Sequence, residues 1–204
     1  MKTPVLPHTI AAFLLLQTSV AISQPAPAVT PEQRFYSTLT AAAQGNGLSK
    51  TDTAGSPTGT DFSDTHASGG ILVGFDLWKS NFQNNLIVGG ICPIFQTASS
   101  RVRGPKRGRT NGTPVTIEAK PDFAVAGIVV KSGGRVDGLE VVFMRVNHAG
   151  VGLDSAGSYK SEWFGGRKGG RETRLVPNQQ PIIGIFGGSG GGLDRLGLLY
   201  YDRK

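Results

Sequence analysis

Few side chains in this sequence are able to do chemistry. The chain of 204 residues has one cysteine, Cys92, and three histidines, one of which (His8) lies in an apolar N-terminal leader. His66, His148 and Cys92 are too few for a zinc centre built on Cys and His, so no metal is expected. A hydrolytic triad would need His66 or His148 beside Ser and Asp, but Val146-Asn-His-Ala-Gly150 reads as the end of a strand. Gly187-Gly-Ser-Gly-Gly-Gly192 could cradle a phosphate, yet no Lys-Ser/Thr follows it and no helix begins there. Neither a catalytic residue nor a cofactor is therefore expected. Cys92 sits in the apolar run Val88-Gly-Gly-Ile-Cys-Pro-Ile-Phe95, which predicts a buried, unreactive thiol. Arg101, Arg103, Lys106, Arg107 and Arg109 alternate with Gly104, Pro105 and Gly108. This pattern predicts an exposed loop, either merely solvated or in contact with an anionic polymer. It lacks interleaved aromatics for base stacking. Asn111-Gly-Thr113 is a glycosylation sequon on the same stretch.

The elements that must position any site are β-strands. Glycine contributes 30 residues, with 26 of them after Ser68, and they follow no period of three. Long helices are disfavoured, since each interior glycine costs a helix about 1 kcal/mol relative to alanine. Lys2 and the apolar run from Ile10 to Ile22 read as a signal peptide, residues 1–23, with small residues at Ala21 and Ser23 before the cut. Cleavage near Ser23 predicts a secreted, periplasmic or cell-surface protein with no membrane span. Residues 24–60 read as a flexible linker holding one short helix at about 31–44, with Thr30 as N-cap and Gln33 closing a capping box. Gly45 to Gly59 reads as a mobile segment. Residues 61–204 form the domain.

That domain carries an internal repeat. Gly70-Ile-Leu-Val, Gly127-Ile-Val-Val and Gly184-Ile-Phe-Gly recur at a spacing of 57. Residues 127–143 and 184–200 stay in register, with seven identities in seventeen positions, Asp137 over Asp194 among them. Each copy reads as a hairpin: an apolar run, a turn, and a second apolar run. In the first, Ile71–Trp78 and Leu86–Phe95 are the strands and Lys79–Asn85 the turn, which puts Asn81 and Asn85 where Gly133 and Asp137 stand. Three equivalent hairpins predict an all-β domain with approximate threefold symmetry.

The run Gln180-Pro-Ile-Ile-Gly-Ile-Phe-Gly-Gly-Ser-Gly-Gly-Gly-Leu-Asp-Arg-Leu-Gly-Leu-Leu-Tyr200 resembles the C-terminal segment of jacalin-related lectins. Tyr159-Lys-Ser-Glu-Trp-Phe-Gly-Gly166 and Asp122-Phe-Ala-Val-Ala-Gly-Ile128 resemble that family's aromatic-and-glycine segment and its central strand. The resemblance covers about residues 69–201. It implies a β-prism of three four-stranded Greek-key sheets and a non-enzymatic module that binds a carbohydrate or glycoconjugate. It also implies a site built on a Gly-x-x-x-Asp turn. Gly190-Gly-Gly-Leu-Asp194 matches, with Asp194 as acceptor of sugar hydroxyls and Gly192 and Leu193 as amide donors. Gly133-Gly-Arg-Val-Asp137 matches a second time, through Gly133, Val136 and Asp137. The first hairpin departs from the motif and is expected to lack a site. Family members complete the pocket with an N-terminal Gly-Gly-x-Gly-Gly loop, to which Ser68-Gly69-Gly70 is the nearest segment here. Trp78 and Trp163 could stack on sugar faces or fill the core. The alternative is a secreted structural or surface-assembly β domain without a sugar site, and assembly into oligomers is open.

Overall fold

The computed structural model describes residues 27–168 and 170–203; the expected signal peptide lies outside them. In chain order the elements are α1 (Pro31–Ala43), β1 (Leu48–Lys50), β2 (Ala54–Gly55), β3 (Thr60–Thr65), β4 (Ile71–Phe82), β5 (Asn85–Gln96), β6 (Arg101–Arg103), β7 (Arg107–Gly108), β8 (Val115–Glu118), β9 (Phe123–Ser132), β10 (Val136–Asn147), β11 (Gly152–Lys160), β12 (Phe164–Gly165), β13 (Arg171–Leu175), β14 (Ile182–Ser189) and β15 (Leu193–Tyr201).

They form three antiparallel sheets of one design. A long hairpin lies at the centre of each: β4–β5, β9–β10 or β14–β15. One flank carries a single strand, respectively β8, β13 or β3. The other carries a strand broken in two, respectively β6 and β7, β11 and β12, or β1 and β2. In the first two sheets the chain runs from hairpin to broken strand and then crosses to the far flank, a Greek key. The third is assembled from both ends of the chain, because β1, β2 and β3 complete the C-terminal hairpin. This is the expected β-prism. The inner faces meet in one core in which Phe75, Ile128 and Ile185, equivalent residues of the three hairpins, are fully buried.

The equivalence rests on glycines and bulges. Gly74, Gly127 and Gly184 each follow a bulge, opposite Ile94, Val142 and Leu199. A Cβ at those glycines would lie 2.3, 2.7 and 2.3 Å from the carbonyl oxygens of Ile117, Leu175 and Asp64 on the flanking strands. No side chain fits beneath those carbonyls. Gly74, not Gly70, is therefore the first member of the repeat. Gly184→Ala is expected to cost about 1–3 kcal/mol, the usual range for overpacking. Gly134→Ala, where a Cβ meets nothing within 4 Å, is expected to cost little. Denaturant midpoints of the two variants check the contrast.

Two further expectations change. The first hairpin turns at Gln83 and Asn84, both in the left-handed region (φ 48° and 60°), so its strands extend into the expected Lys79–Asn85 turn and leave only those two residues of it. Both φ values suit a tight two-residue turn between twisted strands. The segment read as linker supplies β1 and β2, with Leu48–Lys50 paired to Tyr201–Leu199 and Ala54-Gly55 to Leu196-Arg195. Pairing to β15 orders a stretch whose composition alone favours coil.

The helix matches its expected span. Thr30 and Gln33 close the capping box, and Phe35, Tyr36, Leu39 and Ala42 are buried. The Phe35 ring packs edge-on at 4.9 Å from His148, and Thr40 donates to the Ser68 carbonyl at 2.8 Å. The helix thus closes the end of the prism where β4 begins and β10 stops. The three hairpin tips lie at the other end, and all the conspicuous turn chemistry is there.

Candidate functional site

The same bulge recurs near each tip. It places Gly89, Asp137 and Asp194 at equivalent positions, one residue before Gly90, Gly138 and Arg195. Each bulged residue's carbonyl accepts from a backbone N–H of the residue after a two-residue strand: Arg109 to Gly89 at 2.7 Å, Gly166 to Asp137 at 2.8 Å and Ser56 to Asp194 at 3.0 Å. Those short strands end in Gly108, Gly165 and Gly55, all with positive φ (77°, 91° and 114°). So the counterpart of the two aspartates in the first hairpin is Gly89, not Asn85. A carboxylate is missing there, and the Asn81 and Asn85 alignment is corrected.

The two aspartates have different surroundings. At the third tip, Gly190 N–H donates to the Gly192 carbonyl at 3.0 Å, and Leu193 is fully buried opposite Ser189. The Asp194 side chain is only 5% exposed, with Oδ1 3.1 Å from Arg135 Nη1, an ion pair whose geometry makes no hydrogen bond. Arg135 comes from the second tip and lies 4.3 Å from the ring centroid of Phe82, at the first tip. One guanidinium therefore joins all three hairpins, and the Asp194 carboxylate already has a charge partner. Gly59 closes over the other oxygen, since a Cβ there would lie 2.3 Å from Asp194 Oδ2. Ser68-Gly69-Gly70 has no part in this: Gly69 packs on Thr40 of the helix.

At the second tip one carboxylate oxygen has no partner. Gly133 N–H donates to the Arg135 carbonyl at 3.0 Å, and Val136 is fully buried opposite Ser132. Asp137 is buried, and its Oδ2 has no hydrogen-bond partner. Burial pushes its carboxyl above the usual aspartate value, with the Gly133 N–H and the Lys131 charge pulling part of the way back. The wall beside it includes Gly165, Gly166 and Gly170, on the connection from β12 to β13. Gly166 binds the Asp137 carbonyl, and a Cβ on Gly170 would lie 1.9 Å from the Ser132 carbonyl oxygen. Trp163 Nε1 donates to the Gly166 carbonyl at 3.0 Å and holds that loop. The paired glycines 165–166 are the sequence signal for this loop, since they let a ring approach the backbone.

An ionised carboxylate with a spare oxygen beside backbone N–H groups can accept hydroxyl hydrogens while the amides donate to neighbouring oxygens. Bonds to a charged acceptor are about twice as strong as neutral ones.

The basic run differs from its expectation. Arg101–Arg103 and Arg107-Gly108 are the broken strand β6–β7 rather than a free loop. Arg101 pairs with Glu118, Arg103 with Asp76 at 2.7 Å and Arg107 with Asp64 at 2.8 Å. Burial raises the Asp76 carboxyl, but hydrogen bonds from Arg103 and Thr116 outweigh it and hold it below the usual aspartate range. Lys106 lies over the Trp78 ring at 5.5 Å, and Arg109 lends its backbone N–H to Gly89. Trp78 is a core residue, 3% exposed. Cys92 is buried and free, its thiol pushed up by burial first and by Asp76 second. Asn111 is exposed between β7 and β8. Among the described residues no group of three or more His, Cys, Asp and Glu side chains could hold a metal, and no helix is long and apolar enough to cross a membrane.

No family model matches the sequence, and no curated protein sequence matches it. Solved structures do match. A mannose-binding jacalin-related lectin from Ananas comosus superimposes at a TM-score of 0.57 and 16% identity, covering 78% of this chain and 100% of its own. A mannose-specific jacalin-related lectin from Morus nigra, solved with mannose, gives 0.56 and 15%, covering 76% and 96%. Artocarpin with mannotriose gives 0.55 and 20%, covering 74% and 98%. At such identities the likeness establishes the fold, and what the tips bind must be argued from their own residues.

Proposed function

We propose that this chain, which has the fold of the jacalin-related lectins, is a secreted, non-enzymatic carbohydrate-binding protein that takes a sugar at Asp137. One observation carries the reading: a buried carboxylate oxygen without a partner, set between two glycine-lined turns at the hairpin tip. Leaving such a group unpaired costs about 1–3 kcal/mol or more, and sugar hydroxyls repay that cost. Two hydroxyls of one ring donate to the Asp137 carboxylate, and backbone amides of the 134–136 turn donate to its oxygens. Mannose is the first ligand to try, because the matched structures include mannose and mannotriose complexes. Asp194 serves here as the charge partner of Arg135. Secretion rests on the leader and its cut near Ser23.

A glycan array probed with the full mature chain tests this, with Asp137→Ala as the control. Saccharide signals that vanish in the variant support the reading. An array without saccharide signals leaves the structural β domain as the better description.

The pH dependence of binding gives a second check. The bonds need the ionised carboxylate, and burial holds the Asp137 carboxyl above the ordinary aspartate value, about 3.9. Sugar affinity is therefore expected to be full near neutrality and to fall on acidification through a midpoint above about 3.9. Titration calorimetry across a pH series measures it, and a midpoint at or below that value contradicts the assignment.

A further inference from the structure

A group of cations that the fold leaves without ion pairs lies on the loop and strand after β12. Arg167, Lys168, Arg171 and Arg174 crowd the loop and strand after Gly166, with Glu172 as the only acid among them. Among the described residues none of those four side chains makes an ion pair, whereas Arg101, Arg103 and Arg107 all do. Arg167 is exposed and lies 4.8 Å from the ring centroid of Trp163, which braces its guanidinium. Lys79, across the sheet junction, sits 5.6 Å over the Phe164 ring.

Two of these cations, Arg167 and Lys168, face a cleft. The loop 165–168 packs against the start of β5, and a Cβ on Gly166 would lie 2.2 Å from the Leu86 carbonyl. Between them is a space of about 410 Å³ walled by Asn81, Asn84 and Asn85 on one side and by Arg167 and Lys168 on the other. Amide side chains both donate to and accept from hydroxyls, and a guanidinium binds carboxylate or sulfate through parallel bonds. Gly166 forms part of this wall and also binds the Asp137 carbonyl, so the cleft and the aspartate share one loop.

We infer that the saccharide held at Asp137 is anionic, its carboxylate or sulfate received in this cleft by Arg167 and Lys168. The inference rests on Asp137 as the sugar site. Asp137 holds hydroxyls of one ring, the asparagines meet those of the next, and the two cations select for charge.

The test compares the mature chain with Arg167→Ala/Lys168→Ala and with Asp137→Ala. The probes are neutral mannan, a polyuronate and dextran sulfate, with polyglutamate as an anion that is not a sugar. Both loop side chains are exposed, so the double variant is expected to fold, and its thermal midpoint is the check. Dissociation constants at low salt should favour the polyuronate or the dextran sulfate over mannan about tenfold or more, and which of the two binds identifies the anion. That preference should disappear in the double variant and fade with salt as exposed charges are screened, while mannan binding persists. Equal affinity for neutral and anionic polymers overturns the inference, as does a preference that survives the double substitution. Polyglutamate binding as tightly as the polysaccharides also overturns it, because charge alone would then suffice. If Asp137→Ala leaves mannan binding intact, the sugar site itself has been misplaced. If mannan binding falls with Asp137 but no anionic preference exists, only the present inference fails.

Discussion

Asp194→Ala should lower the stability of the folded domain by about 2–4 kcal/mol. Removing one partner of a buried ion pair strands the other, at a usual cost of about 3–5 kcal/mol. The lower range is expected here because the Arg135 side chain is 19% exposed and retains some water. Without Asp194, Arg135 Nη1 is left buried, with only the Phe82 ring for company. In a domain of this size about 1 kcal/mol moves the melting temperature by about 2–4 °C, so calorimetry should show a fall of roughly 4–16 °C. Arg135→Ala leaves Asp194 buried and uncompensated, and it also destabilises. The double variant should cost less than the two single changes together, because the cycle removes both charges at once. Asp194→Ala at full stability would mean that the contact between the three tips is idle.

That pairing also marks where the sequence stops being informative. The second and third hairpins were legible because Gly127 and Gly184, Gly133 and Gly190, and Asp137 and Asp194 occupy the same turns and bulges, and local geometry fixes local sequence. The first hairpin was misaligned because its arms extend beyond the bulge at Gly89, so its turn falls at Gln83 and Asn84 and matches neither partner. Charge partners were invisible for another reason. Arg103 finds Asp76, Arg107 finds Asp64 and Arg135 finds Asp194, and each pair comes together only after the sheets have folded on one another. The cations at 101–109 thus looked free, while those at 167–174 attracted no notice. Leu48–Lys50 and Ala54-Gly55 read as coil because two- and three-residue strands owe their order to β15 rather than to their own composition. Of the two aspartates, the sequence favoured Asp194, which lies in the 180–200 run that carries the family resemblance. Which carboxylate keeps an unsatisfied oxygen is a property of packing.

Asp137→Asn is expected to show the opposite profile to Asp194→Ala, with little loss of stability and a large loss of binding. Burial raises the folded Asp137 carboxyl above its unfolded value. The stability linked to that shift is present below the unfolded value and lost as pH rises through the folded one, so at neutrality the charge is a cost. Asparagine removes the charge and keeps the shape. At pH 7 the variant should be within about 1 kcal/mol of the parent, or more stable, because the charge it loses was disfavoured. Sugar affinity should fall at least tenfold, since each charge-assisted bond contributes about 1.5–3 kcal/mol and about 1.4 kcal/mol is a decade. Urea midpoints and binding isotherms on one preparation supply both numbers. A strongly destabilised Asp137→Asn would instead make this residue structural, like Asp194.

The most direct test is an amide NMR titration of the mature chain with mannose. Sugar bound at the second tip should shift the backbone N–H signals of Gly133, Val136, Asp137 and Gly166, and leave Gly190, Leu193 and Asp194 in place. Shifts confined to the 190–194 turn, or none at saturating mannose and mannotriose, would contradict a sugar site at Asp137.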